Sequence, residues 1–316
     1  MSQRVFVTGG SGFVGSAVLD ELAKRQFEIS ALVRDDSSFA ARPMVQPIAG
    51  DLLDPAALDR GMRDCQAVIY LVGIIMEKPS KQITFERIHV QGTRAVVDAA
   101  AKNGVKRYIH MSALGAREGA ASEYHRTKYA AEQHVRASAL EWTILRPSLI
   151  HGANGEFMRQ EAMWARGRAP APLFFMPVMP YFGGGMFGQK GAGKLQPVFV
   201  DDVARAFADC LLNRKTVGEV YPLGGSERVT WPQLHEAVAR HVVGRRRLVL
   251  PIPVWAGKLY AAIGIAPLLG FNRDQVVMSQ EDNTCDLTKF IADFGWEPQA
   301  FSPTLARYAD DAYDSQ

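Results

Sequence analysis

Over the first 150 residues, short runs of branched apolar residues alternate with longer stretches in which apolar positions recur at helical spacing. Such alternation predicts parallel strands joined by crossover helices. Strands are expected near Arg4 to Thr8, Glu28 to Arg34, Val45 to Gly50, Ala67 to Val72, Arg107 to Ser112 and Trp142 to Pro147. Helices are expected over Val14 to Arg25, Pro55 to Arg63, Ile83 to Asn103 and Tyr124 to Ser138. Six strands in this order make a doubly wound α/β sheet.

Beyond Ser148 the pattern changes. Ala169 to Lys194 is crowded with Pro, Gly, Met and Phe, as a loop would be; long loops of this kind in compact domains tend to be lids or binding loops. A strand is expected at Pro197 to Val200, followed by a helix capped at Asp201 or Asp202, and this piece is expected to return to the main sheet. Thr230, with Gln233 three residues on, reads as a capping box opening a helix to about Val243. Further helices are expected over Val254 to Leu269, Arg273 to Ser279, Leu287 to Phe294 and Pro303 to Tyr313. The domain organisation follows: residues 1–150, rejoined by 196–215, form the sheet domain, and 151–195 with 216–316 form a smaller, mostly helical substrate or lid domain.

With 316 residues, 47% of them apolar and 22% charged, the chain has an ordinary globular composition. The net charge of +3 is too small and dispersed for nucleic acid, which calls for a concentrated basic stripe. Cys65, Cys210 and Cys285 lie far apart without a CxxC pair, so neither a disulfide framework nor a zinc site is indicated, and a reducing compartment fits. The N-terminus enters an apolar strand after three residues, which leaves no room for a signal peptide. The expected location is cytoplasmic, with peripheral attachment to the inner membrane left open. That opening rests on Arg245-Arg246-Arg247 and the apolar run to Phe271, which Pro251, Pro253, Lys258 and Pro267 interrupt. The run cannot span a bilayer as one helix. A basic cluster beside an amphipathic stretch can sit on an anionic surface, but a buried helix in the second domain is the favoured reading.

The first candidate chemistry is a phosphate loop. Thr8-Gly9-Gly10-Ser11-Gly12-Phe13-Val14-Gly15 follows a strand and opens a helix, the context in which spaced glycines bind a dinucleotide. Gly9, Gly12 and Gly15 let the backbone turn, approach a pyrophosphate and pack helix on strand, while the free N–H groups of Phe13 and Val14 face the phosphate charge. This is a Rossmann-type arrangement. Strand two ends at Arg34, where an NAD-binding domain would place an acid for the ribose 2′-hydroxyl. An arginine fork suits a 2′-phosphate instead, which favours NADPH over NAD. Asp35 and Asp36 follow at once, and a shift of one residue would present a carboxylate. Asp51-Leu52 is expected to flank the adenine, to cap the helix at Pro55, or both.

The second is catalytic. Tyr124 and Lys128, four residues apart, share one face of a helix, and Ser112 ends the preceding strand. A free phenol titrates near 10, so moving it to about 7 takes roughly 4 kcal/mol of differential stabilisation. A lysine ammonium and a nicotinamide cation are expected to supply that, with the serine hydroxyl orienting a substrate oxygen.

With these pieces in place the chain resembles the short-chain dehydrogenase/reductase superfamily in its extended or atypical branch. The matching segments are Thr8 to Gly15, Gln91-Gly92-Thr93, His110-Met111-Ser112-Ala113, Tyr124 to Lys128, Leu145-Arg146-Pro147-Ser148 and Pro197 to Val203. The resemblance implies NAD(P) binding, a Ser112, Tyr124, Lys128 catalytic set with Lys128 also on the nicotinamide ribose, and Pro147 and Ser148 near the nicotinamide. Val90 to Ala95, Ser112 to Ala116 and Arg273 to Val276 with Glu281 to Asn283 look like bacterial relatives of the nucleotide-binding accessory subunit of respiratory complex I. That likeness warns that an intact tyrosine-lysine pair does not establish turnover. His89 stands where many sugar-nucleotide epimerases have asparagine, and His151-Gly152 where they often carry Tyr-Gly.

Three functions compete: an NADPH-dependent oxidoreductase, a non-catalytic NADPH-binding accessory or assembly factor of a respiratory complex, and a sugar-nucleotide epimerase or dehydratase retaining NAD. Arg34 and the apolar lid count against the last. Gly188 to Lys194 mimics a triphosphate loop, but Leu195 replaces the Ser or Thr for magnesium and a strand follows. His110, His125, His134 and His151 show no metal-ligand spacing, and His125, beside Tyr124, is read as a solvated helix position in preference to a substrate contact. Leu173 to Phe187 reads equally as an apolar substrate wall, a quinone-facing lid or a loop packed on the second domain.

Overall fold

The computed structural model describes residues 3–34, 39–168, 178–183, 193–263 and 271–313. The first half runs β1 (Arg4–Thr8), α1 (Phe13–Lys24), β2 (Glu28–Val33), β3 (Val45–Ala49), α2 (Pro55–Met62) and β4 (Ala67–Tyr70). It continues with α3 (Gly92–Lys102), β5 (Arg107–Met111), α4 (Glu123–Ala137) and β6 (Glu141–Pro147). Val5 to Val7 of β1 and all of β4 are fully buried, as expected of strands covered on both faces. The helices start where their sequence says they should. Asp54 accepts from the amides of Ala56 and Ala57 with Pro55 in the first turn of α2, and the Ser122 hydroxyl accepts from His125 N at α4. A finer difference lies inside the expected Ile83 to Asn103 helix: Glu86–Gln91 is a π-helical turn that runs directly into α3.

The second half opens with β7 (Ile150–His151), α5 (Glu156–Ala165), β8 (Val178–Phe182), β9 (Lys194–Leu195) and β10 (Val198–Phe199). Next come α6 (Val200–Leu212), β11 (Glu219–Leu223), β12 (Val229–Thr230), α7 (Trp231–Val243) and β13 (Leu248–Ile252). The last helices are α8 (Val254–Ala262), α9 (Arg273–Met278), α10 (Thr288–Phe294) and α11 (Phe301–Tyr313).

The main sheet has seven parallel strands in the order β11-β6-β5-β4-β1-β2-β3. Its seventh strand was not expected from the sequence. Pro197 to Val200, expected to return to this sheet, gives β10 instead, which pairs with β7 in a separate two-stranded sheet. The return is made by α6, with Asp201 and Asp202 inside its first turn, and by β11, which pairs with β6 from Glu219 opposite Thr143 to Leu223 opposite Pro147. An edge position tolerates Pro222, since only one side of the strand joins the ladder.

By contact the chain divides into two compact units, residues 1–147, 200–223 and 286–296, and residues 148–199, 224–285 and 297–316. Residues 216–223 and 286–296, expected in the smaller domain, therefore belong to the first unit, and 148–150 and 196–199, expected in the sheet domain, to the second. Bonds from Tyr221 OH to Asp293, from Asn213 to the Asp293 carbonyl and from Trp296 Nε1 to Asp209, each 2.8 Å, hold α10 in the first unit.

Arg107 secures this return. The buried guanidinium donates to the carbonyls of Cys210 and Glu141 and to the hydroxyls of Thr143 and Thr216, at 2.5 to 3.1 Å. Arg107→Met would leave several buried acceptors without donors, each costing about 1–3 kcal/mol. Urea titration should show a loss of about 3 kcal/mol or more; a loss under 1 kcal/mol would mean that these groups find other donors.

In the second unit, α5, α7 and α11 pack through Met158, Ala162, Leu234, Val238, Phe301 and Leu305. The expected capping box is present: Thr230 Oγ1 accepts from Gln233 N and Gln233 Oε1 accepts from Thr230 N. His151 is buried here, with Nδ1 3.0 Å from Tyr308 OH. Of the expected Ala169 to Lys194 loop, residues 178–182 form β8, paired in parallel with β13. Residues 169–177 and 184–192, which carry most of the lid and triphosphate-loop readings, lie outside the described residues.

Candidate dinucleotide and catalytic site

The chain leaves β1 toward β2 and β3 on one side, and β4 leads to β5 and β6 on the other, so the order reverses between β1 and β4. Ligands of open α/β sheets bind in the crevice outside the carboxyl ends of the strands at such a point. The phosphate loop leaves β1 here. Gly9 has φ of +79°, which L side chains rarely adopt, and a Cβ on it would lie 3.2 Å from the backbone leaving β4 at Leu71 and Val72. Gly15 is required by packing, because its Cβ would stand 2.0 Å from the Gly9 carbonyl oxygen. Gly12 is different: it has ordinary extended dihedrals, it is exposed, and its Cβ would meet only Gly9 O at 3.4 Å. Nothing among the described residues asks for glycine at 12, and α1 has an N-terminus with no side-chain cap and no acid in the first turn, the arrangement that suits an anion. Phe13 and Val14, the first two residues of α1, are half-buried beside it.

Arg34 stands exposed immediately after β2, and Asp35 and Asp36 lie outside the described residues. A second guanidinium, Arg42, is committed to α1, donating to Ser16 Oγ at 2.6 Å and pairing with Asp20 at 3.3 Å. Asp51 is not the cap of α2. Its carboxylate accepts from Leu53 N two residues on, and Asp54 makes the cap. Leu52 is buried in the core, where a Cβ on Gly92 of α3 would lie 2.2 Å from its Cδ2.

The candidate catalytic residues lie at the end of β5 and on α4. Lys128 is buried, and its Nζ donates to the carbonyl of Met111 at 3.1 Å, one residue before Ser112. Burial lowers its pKa to about 8 against a smaller opposing pull from Glu132. Ser112 is also buried, and its Oγ has no hydrogen-bond partner among the described residues, while its amide donates to Leu145 O. A buried hydroxyl left unpaired is costly unless something else meets it. Tyr124, in the first turn of α4, has its ring against Phe85 and His89. Without a dinucleotide beside it, burial lifts its phenol to about 12.

Sequence reasoning passed over two residues here. Gly73, just past β4, forms a wall for the lysine, since a Cβ there would lie 3.0 Å from Lys128 Nζ. Its signal was a glycine closing an apolar strand run. His89, noted only as a departure, is a link: Nε2 accepts from Ile74 N at 3.1 Å, which leaves the proton on Nδ1, 2.9 Å from Thr127 Oγ1 beside Lys128. Burial, then the Lys128 charge, pushes it down to about 2, so it stays neutral. His110, stacked 5.1 Å from Tyr70, is held neutral for the same two reasons. His125 is a correction, being buried beneath Gly115 rather than solvated. Pro147 is buried at the end of β6, its carbonyl accepting from Leu114 N at 2.8 Å. Ser148 falls in the second unit, its hydroxyl committed to the Gln196 carbonyl.

A family model described as NAD(P)H-binding matches residues 9–161. The ceramide reductase of Caulobacter vibrioides is 35% identical over 255 residues, covering 79% of this chain and 73% of the relative. The chain belongs to the extended short-chain dehydrogenase/reductase family. The chain is also 27% identical over 250 residues to the mitochondrial NADH-ubiquinone oxidoreductase 40 kDa subunit of Neurospora crassa, covering 77% of the chain and 61% of that subunit. It thus spans about 60 to 67% of the length of the complex I relatives it matches. In fold it is similar to the UDP-glucose 4-epimerase of Thermotoga maritima, solved with UDP-glucose, with a TM-score of 0.72 over 99% of both chains at 20% identity. This family member is an NAD(P)H-binding protein with a Rossmann-type sheet.

Proposed function

We propose that this protein is an NADPH-dependent reductase of carbonyl compounds, with Ser112, Tyr124 and Lys128 as its catalytic residues. The observation that carries the reading is a buried lysine bonded to the backbone beside a buried serine hydroxyl without a partner among the described residues, with a tyrosine one turn earlier on the same helix. When bound, the nicotinamide supplies a hydride to the carbonyl carbon. Ser112 Oγ–H hydrogen-bonds the carbonyl oxygen and orients it. Tyr124 OH delivers a proton to that oxygen as negative charge develops on it, completing an alcohol. Lys128, as an ammonium, stabilises the phenolate left behind and holds the nicotinamide ribose. Gly9, Gly12 and Gly15 with the amides of Phe13 and Val14 hold the pyrophosphate, and Pro147 closes the nicotinamide side. Asp51 and Leu52 lie toward the adenine.

The likeness to a ceramide reductase favours reduction over epimerisation, and the keto form of a ceramide-like lipid is the first substrate to test. NADPH consumption with that lipid in detergent, followed by mass detection of the alcohol, tests the reading; no oxidation of NADPH across a panel of carbonyl compounds would overturn it. The likeness to complex I subunits favours a second reading, a dinucleotide-binding accessory protein that does not turn over, which that negative result would bring forward.

The NADPH preference rests on Arg34. Arg34→Ser should weaken NADPH binding by about 10- to 100-fold, the worth of one charge-assisted contact to phosphate, and leave NADH nearly unchanged. Calorimetric titration of both dinucleotides checks this. Equal affinities in the parent protein would refute the preference.

A further inference from the structure

The sequence favoured a buried helix after Arg245 to Arg247. α8 instead presents its residues in reverse. Toward the protein it turns its smallest ones: Ala256 and Gly257 are buried, and a Cβ on Gly257 would lie 2.7 Å from Phe182 Cε1 of β8. Toward solvent it turns its largest. Trp255 is 62% exposed, Leu259 49%, and Ile263, just past the helix, 58%. Spaced by four, these three stand on one face. Leu248, at the start of β13, adds another side chain 57% exposed. Helices on soluble domains direct large apolar residues inward. A contiguous apolar group left outside marks a contact surface.

Charge points to what it contacts. From Arg245 to Ile263 the chain carries four cations, Arg245, Arg246, Arg247 and Lys258, and no carboxylate. Arg246 pairs with Glu236 at 3.0 Å and Arg247 donates to the Ala165 carbonyl, whereas Arg245 and Lys258 are exposed. A second copy docked on this face by two-fold symmetry would bring like charges together. An exposed tryptophan and leucine flanked by cations match the interface of an anionic bilayer, where apolar side chains enter the acyl boundary and cations meet phosphates. No helix among the described residues is long and apolar enough to cross a membrane, so this contact lies on the surface.

We infer that the Trp255-Leu259-Ile263 face of α8 docks on an anionic phospholipid surface. The inference does not rest on the reductase reading. Its test is co-sedimentation of the full chain with vesicles of phosphatidylcholine alone, or of phosphatidylcholine mixed with phosphatidylglycerol. The protein should pellet with the mixed vesicles, bind phosphatidylcholine more weakly, and release as salt rises. Trp255→Gln with Leu259→Gln should weaken partition by about 10-fold or more. Arg245→Ser and Lys258→Ser should each weaken it by about five-fold on mixed vesicles only. An unchanged thermal midpoint and NADPH affinity in each variant would exclude misfolding as the cause. Failure to pellet with mixed vesicles, or equal pelleting of the double variant, overturns the inference. So does a dimer in sedimentation velocity that the double variant dissolves without any vesicle binding.

Discussion

Gly12→Ala should fold as the parent does and bind NADPH about 10- to 100-fold more weakly. The two halves of this expectation have separate causes. Gly12 sits at the N-cap of α1 with extended dihedrals that alanine adopts freely, and the added methyl meets Gly9 O at an unstrained 3.4 Å. The stability change should stay within about 1 kcal/mol, the usual range at an N-cap. The methyl instead occupies the approach of the pyrophosphate to the α1 amides, where losing one charge-assisted bond costs about 1.5–3 kcal/mol. Gly15→Ala is the control. Its methyl would stand 2.0 Å from Gly9 O and 2.7 Å from Gly10 Cα, so the loop must shift, and stability and binding should fall together. Thermal melts without dinucleotide, paired with NADPH titration, separate the cases. If Gly12→Ala bound NADPH as tightly as the parent, the pyrophosphate would not pass over residue 12.

The second large effect is on turnover. Tyr124→Phe should lower kcat by about 100- to 10,000-fold, the range for loss of a positioned proton donor, while NADPH affinity stays within about three-fold. Phenylalanine keeps the ring that packs on Phe85 and His89 and removes only the hydroxyl, so a loss of binding would reassign the residue to packing. The pH profile identifies its partner. Lys128 is held at about 8 by burial, so its ammonium is present below that pH and lost above it, and kcat/KM should fall as pH rises through about 8. Tyr124, at about 12, stays protonated throughout and cannot supply that limb. A profile flat to pH 10 would show that the reaction does not need the lysine charge.

Much of this was legible in the chain because it depends on local signals. β1, β2, β4 and β5 announce themselves as apolar runs bounded by turns, and Gly9, Gly12 and Gly15 follow a strand and open a helix. The spacing of Tyr124 and Lys128 needs only helical geometry. What escaped depends on distant partners. Glu219-Val-Tyr-Pro-Leu223 has a proline and no alternation, and pairing with β6 makes it a strand. The π-helical turn at Glu86 to Gln91 lies within continuous helical spacing, yet it sets His89 between Ile74 and Thr127. The rise of the Tyr124 phenol follows from burial that no residue name reveals. In α8, a segment apolar on all sides carries no sign of which face the protein covers, and a glycine fitted against Phe182 decided it.

The Arg107 bonds also bear on how this protein is made. A ribosome releasing the chain delivers β1 to β6 first, but the acceptors at Cys210 and Thr216, the seventh strand and the α10 clasp through Asp293 emerge about 60 to 150 residues later. Until then Arg107 is a cation in a forming core, and β6 is an open edge that another strand can join. The dinucleotide domain therefore cannot be excised at residue 147 or finished early. Stalled or C-terminally clipped chains would present an open strand edge and an unmatched buried cation to the cell's chaperones instead of a finished dinucleotide domain.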